Sequence, residues 1–160
     1  MVRPVVRFGD RVRGMGFTFS ETMAGTIEWD AAPGIQHPFR FDVTAVADST
    51  RQHLKDGKAT LRGTIVAPPK ADGAPVEGVI TIRPLDQKII RYELSFVGED
   101  GKTYELVGQK DIKFRNLIKT MSYLPAEILD EDHRRVAVCK TSFDTRNDLW
   151  SFLRSFRPIR

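Results

Sequence analysis

From Met23 almost to Phe143, this chain of 160 residues switches between apolar and polar side chains at every second position. That period belongs to a β-strand with one face buried and the other wet. No other feature constrains the fold as strongly. A chain that alternates this way over stretch after stretch, with turn-like sequence between stretches, reads as an antiparallel meander. It lacks the continuous apolar runs of a sheet covered on both faces.

The stretches can be named. After Phe17, the residues Met23, Gly25, Ile27 and Trp29 share one face, with Thr22, Ala24, Thr26 and Glu28 on the other. Ala32-Pro-Gly34 supplies a turn. Phe39, Phe41, Val43 and Ala45 then face inward against Arg40, Asp42 and Thr44. Ala59, Leu61, Gly63 and Ile65 align next, followed by a Pro/Gly-rich loop over 68–75 and a strand from Val76 to Leu85 with Ile80 and Ile82 on one face. Ile90, Tyr92, Leu94 and Phe96 lead into Asp100-Gly101, a strong hairpin signal because glycine accepts the positive φ of a tight turn. Thr103 to Val107 is the return strand. A second hairpin is expected over 127–143, turning through Asp130-Glu-Asp-His133.

Two segments break the period. Leu117, Met121 and Leu124 stand at helical spacing after Asn116, which predicts a short helix or an irregular crossover. Near the C-terminal end, Leu149, Phe152, Leu153 and Phe156 recur at i, i+3, i+4 and i+7, which predicts a helix over 148–156 ended by Pro158. The expected architecture is therefore all-β: a lipocalin-like (calycin-like) barrel of eight or nine strands with one C-terminal helix. A two-sheet sandwich is the alternative. Residues 1–16 read as an N-terminal arm, with one short strand at Val5–Phe8, and 17–160 as a single domain.

Charge and composition exclude several classes of function. The net charge is +4, but residues 1–13 and 146–160 each hold a surplus of arginines, leaving the body slightly acidic. A nucleic-acid groove more often shows a basic stripe interleaved with aromatics, so nucleic acid is disfavoured as a partner. No window is apolar enough to span a bilayer as a helix, and the first residues do not read as a secretory leader. The lone Cys139 rules out an intramolecular disulfide and is read as a passive buried thiol in a strand, with the cytoplasm as default compartment.

No catalytic motif stands out. There is no Gly-x-Ser-x-Gly elbow, and Gly14-Met-Gly-Phe-Thr-Phe19 lacks the third glycine of a dinucleotide loop. His37, His53 and His133 are scattered, and Asp130-Glu-Asp132 beside His133 reads as a solvated hairpin tip, so neither a metal nor a cofactor is implied. Glu21 lies among apolar residues and small neighbours, where a carboxylate would be partly buried. Lys110 and Asp111, just after Gly108, raise the same question. Each has a plain reading as a structural ion pair and a sharper one as a group orienting a ligand or moving a proton. Should the barrel hold an apolar small molecule, its candidate lining is Glu21, Met23, Trp29, Phe39, Phe41, Tyr92, Phe96, Tyr104 and Lys110. The plain reading is that these aromatics fill the interior.

Three segments carry a family resemblance: Phe19-Ser-Glu-Thr-Met-Ala-Gly25, Asp100-Gly-Lys-Thr-Tyr-Glu-Leu-Val-Gly-Gln-Lys-Asp111, and Leu117 to Leu124. Together they resemble an accessory domain associated with cholesterol-oxidase-like flavoenzymes of the GMC class. That pattern runs F-x-E-x-M-x-G, then DGK-x-Y-x-L-x-G-x-K-D, then an S-M-T-like stretch, which here reads Thr-Met-Ser. The Gly-x-Trp of a true lipocalin is absent, since Gly25 and Trp29 are four apart. The resemblance implies a companion domain in lipid or sterol metabolism without flavin chemistry of its own. Three expectations follow. The first is a non-catalytic barrel that binds a lipid- or sterol-like molecule or docks to a lipid-metabolising oxidoreductase. The second is an enzyme using Glu21, Lys110 or Asp111 in a barrel pocket. The third is a structural interaction module.

Overall fold

The computed structural model of the protein describes residues 16–47, 56–83, 86–116, 120, 122–142 and 157–159. Eight strands follow one another: β1 Gly16–Trp29, β2 Gln36–Ala47, β3 Lys58–Ala67, β4 Ala71–Arg83, β5 Ile89–Val97, β6 Thr103–Asp111, β7 Tyr123–Leu129 and β8 Arg135–Ser142. Each pairs antiparallel with the next. β1 pairs with both β2 and β8, so the sheet closes on itself. That closure excludes the open sandwich. A short β9, Arg157–Ile159, lies along the start of β1, with Gly16 opposite Ile159.

The alternation explains the wall. Phe39, Phe41, Val43, Ala45 and Ala47 of β2 are buried, as are Ile90, Tyr92, Leu94 and Phe96 of β5, while the residues between them face outward. Each of β1 to β8 contributes its inward set to one core. At three glycines on the apolar phase of their strands, the neighbouring strand's backbone comes so close that no side chain would fit. A Cβ on Gly63 would fall 1.7 Å from the carbonyl oxygen of Asp42, and Gly25 and Gly78 are crowded in the same way.

Proline marks where the ladders stop. A proline cannot donate to a ladder and belongs where a strand has a neighbour on one side only. Pro38 pairs with β1 but precedes the β2–β3 ladder, which starts at Arg40. Pro75 pairs with β3 but precedes the β4–β5 ladder, which starts at Glu77. Pro125 pairs with β8, while the β6–β7 ladder runs only from Glu105 opposite Leu129 to Gly108 opposite Ala126. Beyond that point β6 and β7 part.

The expected loop over 68–75 proves shorter. A turn through the cis Pro68–Pro69 bond is closed by Lys70 N–H donating to Ala67 O, and β4 already begins at Ala71. Gly73, at φ 81°, is the extra residue of a bulge opposite Ile65 and Val66, which lets a Gly/Pro-rich stretch stay in the sheet. The short helix or irregular crossover expected over 116–124 follows a 3-10 turn at Phe114–Asn116; Thr120 and Ser122 are helical, and β7 begins at Tyr123, so Leu124 is a strand residue. Of the arm expected over 1–16, Gly16 already belongs to β1; its residues 1–15, the rest of the crossover (117–119 and 121) and the helix expected at 148–156 lie outside the described residues. Among the described residues, no helix is long and apolar enough to cross a membrane.

Candidate functional site

The two ends of the barrel are built differently. At one end sit the four short turns, and they are tied into a ring. Trp29 Nε1 of the first donates to Pro68 O of the second at 2.6 Å. Lys70 O of the second accepts from Glu99 N–H of the third, and Lys70 Nζ pairs with Asp100 at 3.1 Å. Thr103 N–H donates to Glu131 of the fourth, whose neighbour Arg135 pairs with Asp30 of the first. Beneath the ring, Trp29 meets Tyr104 edge-on at 6.1 Å, and Phe96 stacks on Tyr104 at 5.6 Å. Trp29, Phe96 and Tyr104 thus plug this end.

The other end carries the β2–β3, β4–β5 and β6–β7 connections and the only cluster of ionisable groups in the described interior. Glu21 of β1, Tyr92 of β5 and Lys110 of β6 all point inward because they fall on the apolar phase of their strands. They are 7%, 1% and 2% exposed. Lys110 Nζ lies 2.8 Å from Glu21 Oε1. The Tyr92 hydroxyl donates to Glu21 Oε2 at 2.6 Å. The Lys110 ammonium also sits 5.1 Å from the Tyr92 ring centroid, within cation–π range. Burial, followed by the adjacent Glu21 charge, holds the Tyr92 phenol well above its ordinary pKa. Each charge is tolerable inside only because its partner is there. No buried side-chain nitrogen or oxygen among the described residues lacks a hydrogen-bond partner.

Sequence reading named Glu21 and Lys110 separately, and the fold brings them together across 89 positions. Asp111 does not join them. It faces outward, where the Gln109 side-chain amide donates to it. Lys110, next to the last residue of β6, is ion-paired as its plain reading has it, and the pair lies in the interior. The role of Tyr92 was missed. It reads as one more lining aromatic, although a buried tyrosine hydroxyl needs a partner and Glu21 is an inward acceptor.

The remaining candidates pack on one another. Phe39 meets Phe41, and Phe41 meets Tyr92, each edge-on at 6.1 Å. Met23, Phe41, Leu61, Leu94, Leu106 and Ile128 are 0% exposed, so no water-sized void adjoins them from either side. Cys139 is fully buried and its thiol is pushed up to about 12 by burial, which leaves it inert. At the tip of the β7–β8 hairpin, Asp130 is spent on the backbone amides of Asp132 and Arg134. No group of described residues could hold a metal ion.

Among the described residues, two concavities open to solvent. One, of about 620 Å³, crosses β3 to β6 and includes Arg62, Glu77 and the exposed Val97. The other, of about 340 Å³, lies where β6 and β7 part and includes Gln109, Lys110, Lys113, Asn116 and Tyr123. No protein-family model, no curated protein and no solved structure matches the chain.

Proposed function

We propose that this chain is a non-catalytic, lipocalin-like barrel module that docks onto an oxidoreductase of lipid or sterol metabolism. One observation carries the reading: the inward set is packed on itself at near-zero exposure, so the wall rather than the interior is the surface offered to a partner. The resemblance of the Phe19–Gly25 and Asp100–Asp111 segments to the accessory domain of GMC-class flavoenzymes supplies the partner class. A buried, inert Cys139 suits a reducing compartment such as the cytoplasm.

The convergence of Glu21 and Lys110 favours a second reading, an acid/base site in the barrel. Against it, both carboxylate oxygens of Glu21 are engaged inside the triad, and a general base needs hydrogen-bond reach to its substrate. Storage of an apolar molecule inside would require the aromatic set to part.

Sedimentation of the chain with a GMC-class sterol oxidase, alongside the methyl NMR signal of Met23 with dispersed cholesterol hemisuccinate, tests the reading. Co-sedimentation with an unmoved Met23 methyl is expected. No association, together with a shifted Met23 methyl, would overturn it in favour of an internal ligand.

A further inference from the structure

We propose that the parted seam between β6 and β7 is the docking groove, and that its occupant is an acidic segment of the protein partner. This rests on the docking reading above and names the face and the chemistry that carry it. Over residues 109–111 and 123–125 neither strand has the other as a ladder partner, since Pro125 has no amide to offer and the pairing ends at Gly108 opposite Ala126. The opening holds about 340 Å³, at the lower end for a binding cleft and suited to a few side chains.

Charge selects the occupant. The described start of the connection, residues 112–116, carries Lys113 and Arg115 and no acidic residue. Lys113 and Arg115 are exposed, and neither side chain enters an ion pair among the described residues. The one acid in the groove, Asp111, already accepts from Gln109. Tyr123, 44% exposed, borders the groove and is one of only three exposed large hydrophobics among the described residues. The opposite end has the reverse balance: its turns bear Asp30, Glu99, Asp100, Asp130, Glu131 and Asp132 against Lys70, Lys102 and Arg134. A negatively charged segment is therefore drawn to the seam end and repelled from the turns. The larger groove over β3 to β6 offers no such selection, because Arg62 there stands opposite Glu77.

The test is an NMR titration of the full 15N-labelled chain with a hexaglutamate peptide and, separately, with the same peptide carrying one central leucine. Both are expected to shift Gln109, Lys113, Arg115 and Tyr123, the leucine peptide binding more tightly. Raising salt from about 50 mM to about 0.5 M should collapse the binding, as exposed charges are screened within a few ångströms there. Lys113→Glu/Arg115→Glu should weaken binding at least tenfold, and Lys113→Arg/Arg115→Lys should restore it. Lys102→Glu/Arg134→Glu, on the turns of the opposite end, should change it less than twofold. Shifts spread over the whole surface, or equal losses from both charge reversals, would overturn the groove. So would tighter binding, through the same residues, to phosphatidylglycerol vesicles, which would identify a lipid surface instead. Cross-links from a bound GMC-class oxidase that land on the four turns would remove this groove and leave the docking reading standing.

Discussion

The turn end and the seam end of this barrel are sealed by opposite means. At the turn end the closure is local and redundant: four short turns, each bonded to the next, over an apolar plug of Trp29, Phe96 and Tyr104. At the seam end the described closure is long-range and polar, with Glu21, Tyr92 and Lys110 from three strands holding one another where a ladder has stopped. The same two-residue period produced both ends. It dictates which residues face inward and is silent on what the inward residues do to one another. Redundant apolar closure resists single changes, whereas a buried ion pair does not, because removing one partner strands the other.

The largest effect should separate the ends at once. Lys110→Met leaves Glu21 buried without its cation and should cost about 3–5 kcal/mol in denaturant unfolding. Breaking one link of the ring, by Trp29→Phe, should cost clearly less, since the apolar plug survives. Next comes Tyr92→Phe, which removes one hydrogen bond to a buried charge and should cost about 1–3 kcal/mol. If Trp29→Phe proves costlier than Lys110→Met, the contrast between the ends is wrong.

Alkaline titration sharpens the comparison, because each end holds a raised tyrosine. Tyr92 is held well above its ordinary value by burial and then by Glu21. Tyr104 is raised to about 12 by burial and then by its bond to Asp100. Both folded values exceed the unfolded one of about 10. The unfolded chain therefore loses these protons first, and their stabilisation, complete below about pH 10, declines as pH rises toward 12 and beyond. Phenolate absorbance should show both tyrosines silent at about pH 11 in the folded protein and released on unfolding. Asp100 behaves oppositely. The Tyr104 hydroxyl bond, then the Lys102 amide, lowers it to about 2, so its contribution is present above the ordinary carboxylate value and fades as pH falls toward 2.

Much of this was legible in advance, for stated reasons. Strand phase put Phe39, Phe41, Tyr92 and Phe96 inside, and Asp100-Gly101 announced its hairpin, where Gly101 indeed adopts φ 77°. The β7–β8 hairpin uses the same turn geometry with His133 at φ 59°, where glycine is the residue the turn favours most. His133→Gly should raise the melting temperature by about 2–4 °C by relieving that conformation. The Gly/Pro content of 68–75 suggested a loop, since composition cannot show that a bulge and one-sided pairing make room for both residues. Pairing of Glu21 with Lys110 was beyond reach because strand phase fixes a residue's face but not its height in the barrel. That height depends on the register of every ladder between β1 and β6.

The central claim is that each member of the buried triad matters to stability only as partner to the other two, and one unfolding measurement addresses it. Glu21→Leu/Lys110→Met/Tyr92→Phe replaces all three groups by apolar ones of similar size. Its stability should return to within about 1 kcal/mol of the parent, because no charge is left unpaired. A triple variant as unstable as Lys110→Met alone would contradict the account, since the three residues would then be doing something that apolar packing cannot replace.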